Sequence, residues 1–140
     1  MKYYAVIDTN VLVSAALKAH SAPGDILNEI GNGRIIPLYN DAILAEYAEV
    51  LHRPKFRFEP RAVKVILDSI IRYGVPIDAG PIEDIVPDPK DVVFYEVVME
   101  QRKTEDAYLV TGNLKHFPVK PFVVTPRQML DLIFSEQSED

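Results

Sequence analysis

The chain has 140 residues, 48% of them hydrophobic and 26% charged, with 15 Lys plus Arg against 21 Asp plus Glu and a formal net charge of −6. That length and apolar content predict one folded domain with a contiguous core and exclude disorder, while the acidic total disfavours a protein that coats nucleic acid through charge alone. Cysteine is absent, which excludes disulfides and thiolate metal sites and points to the cytoplasm.

The first apolar run, residues 3–7, is β-prone and stops at Asp8-Thr9-Asn10. Those three residues suit strand ends and helix caps, so a strand is expected to lead at once into a helix, with no signal-peptide core. Val11, Leu12, Ala15 and Ala16 then recur at helical spacing, and Ser21-Ala22-Pro23-Gly24 is expected to close that segment. A second helix over 25–30 ends at Gly31-Asn32-Gly33, and a strand follows over 34–38. Asp41 opens a helix that runs through Leu51 and is stopped by Pro54.

The connection HRPKFRF, residues 52–58, is mixed basic and aromatic. Val63, Ile66, Leu67 and Ile70 place a helix over 61–73, which Gly74 ends before a short strand at 75–77. Beyond a loop rich in Gly, Pro and acid over 79–87, Asp88-Pro89 opens a helix to about Gln101, with proline at the first helical position. Strands at 107–111 and 122–124 and a helix at 126–134 complete a domain spanning 1–134, and 135–140 is expected to be a frayed tail. No run approaches the roughly 20 apolar residues of a bilayer span, so no membrane association is expected.

Strands that alternate with helices and carry near-continuous apolar runs indicate an α/β fold, a three-layer α/β/α sandwich around a central, mainly parallel sheet. Ligands in such sheets collect beyond the carboxyl ends of the strands. The residues leaving those ends are Asp8, Asn40-Asp41 and Thr111 to Asn113, whereas Asp106 lies at the opposite edge.

On its local pattern Asp8 fits a helix cap better than a ligand. Glu46 borders the apolar stripe of Ile43, Tyr47, Val50 and Leu51, while Glu49 points farther toward solvent, which makes Glu46 the better ligand candidate of the two. Asp91 shares a helical face with Phe94, Tyr95 and Val98 and points inward; a capping box with Asp88 and metal ligation explain it equally. Asn113 offers an amide oxygen or serves as a left-handed turn residue. Three carboxylates at one sheet edge would repel unless a cation joins them, and an all-oxygen set selects a hard ion, Mg²⁺ or Mn²⁺, that activates water and stabilises phosphoryl charge.

VIDTNVLVSAAL, ILAEYAEVL, DPKDVVFYEVV and YLVTGNLKHFP, taken in order, resemble the PIN-domain family of metal-dependent nucleases, many of which are toxins of bacterial toxin–antitoxin pairs. The resemblance spans nearly the whole chain. It implies that Asp8, Glu46 and Asp91 are metal-binding, catalytic acids, and that Asn113 stands where many members have a fourth acid. The implied activity is endoribonucleolytic: a metal-activated water attacks an RNA phosphodiester in line. Its implied partners are RNA and a cognate antitoxin, and the apolar and acidic surface leaves room for that antitoxin or a second copy of the chain. An Asn at the fourth position removes a charge and weakens a second ion site.

Asn10, Thr111, Arg53, Lys55 and Lys115 are candidate substrate contacts, with His116 as a further phosphate contact. The basic segment from His52 to Lys64, interleaved with Phe56 and Phe58, could track a single strand, or form a solvated connection whose phenylalanines pack on the core, the reading slightly preferred. Competing functions are a PIN-like RNA- or protein-binding module with a weakened site, and an Mg-dependent phosphatase or receiver domain using Asp8. A phosphatase of the haloacid-dehalogenase type has a second Asp two residues on, where this chain has Asn10, and a receiver needs paired acids around the first strand.

Overall fold

The computed structural model describes residues 1–138. Strand β1 (Tyr3–Ile7) feeds helix α1 (Thr9–Leu17) through Asp8 alone, and α2 (Ala22–Gly31) leads to β2 (Ile35–Tyr39). Then come α3 (Asp41–Leu51), a 3-10 turn at Pro54–Phe56, α4 (Pro60–Tyr73) and β3 (Val75–Pro76). A 3-10 turn at Pro89–Asp91 runs into α5 (Val92–Arg102), followed by β4 (Ala107–Val110), a third such turn at Leu114–His116, β5 (Val123–Val124) and α6 (Pro126–Ser138).

The five strands lie in the order β3-β2-β1-β4-β5, and every neighbouring pair is parallel, with Tyr4 opposite both Ile36 and Ala107 and Val6 opposite Leu109. The sheet expected to be mainly parallel is thus wholly parallel among the described strands. Successive side chains of a strand face opposite sides, yet Ala5, Val6 and Ile7 are all fully buried, so both faces of the central strand are covered. Helix α5 packs against β1, β2 and β4, and α2 and α4 pack against β2.

Three boundaries differ from the sequence expectation for identifiable reasons. Ser21 opens α2 rather than closing the preceding segment: its Oγ accepts the Gly24 N–H at 3.1 Å, and proline occupies the first turn, where its missing N–H costs nothing. The helix expected from Asp88 begins instead as a 3-10 turn, which places Asp91 at the junction with α5. Helix α6 continues past 134 to Ser138, carried by the buried face of Met129, Leu130 and Ile133; residues 139–140 of the expected tail lie outside the described residues. Strand ends otherwise move by one or two residues.

Gly74 ends α4 because the chain turns back against β2 there: a Cβ at this position would sit 2.4 Å from the Pro37 carbonyl oxygen. Among the described residues, no helix is long and apolar enough to cross a membrane.

Candidate active site

From β1 the chain builds β2 and β3 to one side, and β4 and β5 lie to the other, so the strand order reverses between β1 and β4. That reversal opens a crevice beyond the carboxyl ends of the two strands. Asp8 leaves β1 at this point and Thr111 leaves β4. Thr111 Oγ1 donates to Asp8 Oδ2 at 2.8 Å, and the Asp8 N–H donates to the Val110 carbonyl at 2.9 Å. Asp8 is only 4% exposed and makes no side-chain cap to α1. The capping role favoured by its local pattern is displaced by partners that arrive from β4.

Asn10 bridges the same two strand ends. Its Nδ2 donates to Asp8 Oδ2 at 3.1 Å, and its Oδ1 accepts the Gly112 N–H at 2.9 Å.

Helix α3 brings Glu46 to the crevice half-buried, while Glu49 faces solvent, the division that the apolar stripe predicted. Two contacts fix this helix, one to the first residue of α1 and one to the last of β1. Thr9 Oγ1 donates to Glu46 Oε2, and the hydroxyl of fully buried Tyr47 donates to the Ile7 carbonyl. Burial, reinforced by the Asp8 and Glu46 charges, holds the Tyr47 hydroxyl well above the ordinary phenol range, so it stays a donor.

Asp91 comes from the start of α5. The capping box does not form, since Asp88 accepts the Lys90 N–H at 2.9 Å and Asp91 makes no cap bond. Asp91 Oδ2 is buried with no hydrogen-bond partner, and His116 Nδ1 stands 3.5 Å from it.

These groups line one open cavity of about 400 Å³, with Asp8, Glu46 and Asp91 beside Asn10 and Thr9, and Arg53, Phe56, Lys90 and His116 among its other walls. The acids share an electrostatic environment. Burial pushes Asp8 up to about 6; the Thr111 hydrogen bond opposes that rise, and the Asp91 and Glu46 charges add to it. Asp91 is also raised, chiefly by burial, against the opposing influence of His116 and with repulsion from Asp88 and Glu46.

The structure thus brings Asp8, Glu46 and Asp91 to one cavity, with Asn10 and Arg53 on its wall and Thr111 directly behind Asp8. It does not bring Asn113 into that lining. The Asn113 Oδ1 caps the turn at Leu114–His116 by accepting the Lys115 N–H at 3.2 Å, and its Nδ2 lies 3.0 Å from His116 Nε2. Asn40 likewise caps α3 through the Ile43 N–H, so the β2 end contributes Glu46 and not its own strand-end residues. Lys115 and Lys55 are exposed and lie outside the lining, Arg53 is held by Glu49 at 2.8 Å, and Asp106 is exposed at the far edge. Sequence reasoning missed Thr9 as the partner of Glu46 and Lys90 as a wall residue. Lys90 adjoins Asp91, which was the available signal; nothing local marks Thr9 for an acid 37 residues away.

The donor set fits a hard divalent cation. It is all oxygen, it includes one buried carboxylate oxygen without a hydrogen bond, and Asp8 and Asp91 are destabilised as anions by burial and by neighbouring carboxylates. Among the described residues, no three His, Cys, Asp or Glu side chains already stand close enough together to hold a metal ion.

Residues 4–115 match the family described as PIN domain. The chain is also similar to the uncharacterized protein MJ1680 of Methanocaldococcus jannaschii, at 31% identity over 117 residues that cover 81% of this chain and 72% of that protein. No solved structure matches it. The PIN domain is a nuclease-type fold; its members are generally nucleases and usually use divalent metals.

Proposed function

The chain belongs to the PIN-domain family, and from that premise we propose that it is a metal-dependent endoribonuclease that hydrolyses RNA phosphodiester bonds and acts as the toxin of a toxin–antitoxin pair in the cytoplasm. The observation that carries this reading is the position of buried Asp8 at the reversal of strand order, facing one cavity with Glu46 and with Asp91, whose buried Oδ2 lacks a hydrogen bond.

Mg²⁺ or Mn²⁺ bound there would supply an activated water and stabilise charge on the phosphate. Asp8 would be the principal ligand, its carboxylate oriented by Thr111 and Asn10. Glu46, steadied by Thr9, and Asp91 would hold the ion or orient the attacking water. Lys90 and Arg53 on the wall would draw in the phosphate, which the net negative charge of the chain otherwise repels.

The test is cleavage of labelled single-stranded RNA by purified protein with Mn²⁺ or Mg²⁺, beside a chelator control and an Asp91→Asn variant. Cleavage lost in both controls supports the reading. Absence of cleavage across many RNAs, with folded protein and metal present, counts against it. The toxin role rests on the family resemblance; it expects expression alone to slow growth and a cognate antitoxin to relieve it, and normal growth at confirmed high expression would remove it.

A second reading is an RNA- or protein-binding module with a weakened site. It is favoured by the commitment of the Asn113 oxygen to capping, outside the cavity lining. An Asp8→Asn variant that loses metal while binding RNA unchanged, from a parent that does not cleave, would support that module.

A further inference from the structure

The connection between α3 and α4 carries two phenylalanines with different surroundings. Phe58 packs against the hydrophobic core, as a structural connection requires, but Phe56 does not join the side chains packed there. Phe56 is half-buried and lines the acidic cavity instead. Its ring stacks on Phe58 with centroids 5.3 Å apart and planes 9° from parallel. The residue between them, Arg57, has φ 56, a left-handed conformation uncommon outside glycine, and it caps the turn at Pro54–Phe56. The turn sets the two rings face to face, so core-bound Phe58 becomes the support for Phe56.

Positive charge gathers around this ring in a chain that is acidic as a whole. Lys55 Nζ lies 5.0 Å from the Phe56 centroid, and Arg53 and Lys90 share the cavity wall with it. Among the described residues, the ion pairs leave Lys90 out. Arg53 is held only by an exposed partner, Glu49, a class of pair that exchanges readily. A cationic rim over a carboxylate floor suits a phosphodiester, which the rim can hold while the floor holds a cation. An aromatic face at the same rim suits the base attached to it.

We propose that Phe56 is a nucleobase platform: an unpaired base stacks on its ring, Lys55 moves from the ring to a phosphate, and Arg53 and Lys90 take the flanking phosphates. Base–aromatic stacking tolerates any sequence because every base has a π-face, whereas a base inside a duplex already has its faces covered by neighbours. The platform therefore selects single strands without selecting sequence. This inference rests on the nuclease reading of the cavity and assigns the residue that holds the substrate beside it.

The chain has no tryptophan, so Phe56→Trp introduces a sole reporter at the platform. In an Asp91→Asn background, titration with a short single-stranded RNA is expected to quench this fluorescence to saturation, and the same sequence in a duplex is expected to bind at least about tenfold more weakly. Phe56→Leu is expected to weaken single-strand binding, read by anisotropy, on the order of tenfold with its thermal melt unchanged. Single-strand binding unchanged in Phe56→Leu, an unquenched tryptophan, or equal affinity for the duplex would overturn the platform and leave the nuclease reading standing. No binding to any oligonucleotide would overturn it as well, and cleavage by the unmodified protein, measured alongside, decides separately whether the nuclease reading falls. A single-stranded DNA arm shows whether the 2′-hydroxyl contributes.

Discussion

The Thr111 hydroxyl donates to the Asp8 carboxylate at 2.8 Å, joining residues 103 positions apart at the ends of two adjacent parallel strands. The bond is buried, and it opposes the upward shift that burial imposes on Asp8. Thr111→Val keeps the shape and removes the donor, so the ionised carboxylate loses one of its partners. At pH 7, where Asp8 is charged, the metal-free variant is expected to lose on the order of 2 kcal/mol in denaturant unfolding. At pH 4.5, where Asp8 is protonated, the loss should be smaller. Divalent ion binding near pH 6 is expected to weaken, because the Asp8 pKa rises further. Equal losses at both pH values would mean that the bond does not report on the Asp8 charge.

Asp8 itself gives the metal-free protein a distinctive pH dependence. Its folded-state pKa is raised from 3.8 to about 6, so the folded form holds the proton more tightly than the unfolded chain. The sign is the reverse of that for a salt-bridged carboxylate: stability from this group is present below about pH 4 and is lost as pH rises toward 6, on the order of 3 kcal/mol in all. Asp8→Asn removes this dependence. The expected outcome is that the variant melts higher than the chelated parent at pH 7 and that adding Mg²⁺ or Mn²⁺ narrows the gap by raising the parent alone. A variant that melts below the chelated parent at pH 7 would contradict the burial cost assigned to Asp8.

Tyr47→Phe tests how α3 is held. Tyr47 is fully buried, and its hydroxyl bonds the Ile7 carbonyl next to Asp8 in the chain. Loss of the hydroxyl is expected to cost about 1 kcal/mol in chemical denaturation. Because Glu46 precedes Tyr47 and is steadied from the start of α1 through Thr9, nuclease activity should fall severalfold with substrate affinity little changed. Unchanged turnover would show that Thr9 positions Glu46 unaided.

The loop over 77–88 is anchored by Asp84, which accepts the hydroxyl of buried Tyr95 at 2.7 Å with Lys120 at 4.0 Å. Asp84→Ala leaves that hydroxyl without its acceptor and is expected to cost on the order of 1–2 kcal/mol. The double variant with Tyr95→Phe should be little worse than Tyr95→Phe alone, since the two changes remove one interaction. Hydrogen exchange at 79–87 is expected to accelerate in either variant. Additive losses would show that Asp84 and Tyr95 stabilise the fold independently.

Much of this molecule is legible from local patterns, because burial imposes a period that the sequence must repeat. The helix at Asp41–Leu51 matches its apolar stripe residue for residue at both ends, and that stripe also separates half-buried Glu46 from exposed Glu49. The apolar run before Asp8 gives β1, and the alternation of strands and helices gives a parallel sheet whose carboxyl edge carries Asp8.

Only the tertiary structure decided which partners the polar side chains take. Asp8 and Asp91 both sit in capping sequences and neither caps, whereas Asn113, set beside the acids by resemblance, caps a turn. Phe56 and Phe58, two residues apart in one motif, divide between the cavity and the core according to the left-handed turn at Arg57. A hydrogen bond from Thr9 to Glu46 or from Thr111 to Asp8 depends on segments brought together from 37 and 103 residues away. Burial is a property of one residue and its period, which sequence records directly. Partner choice is a competition among donors and acceptors that meet only after the chain has folded.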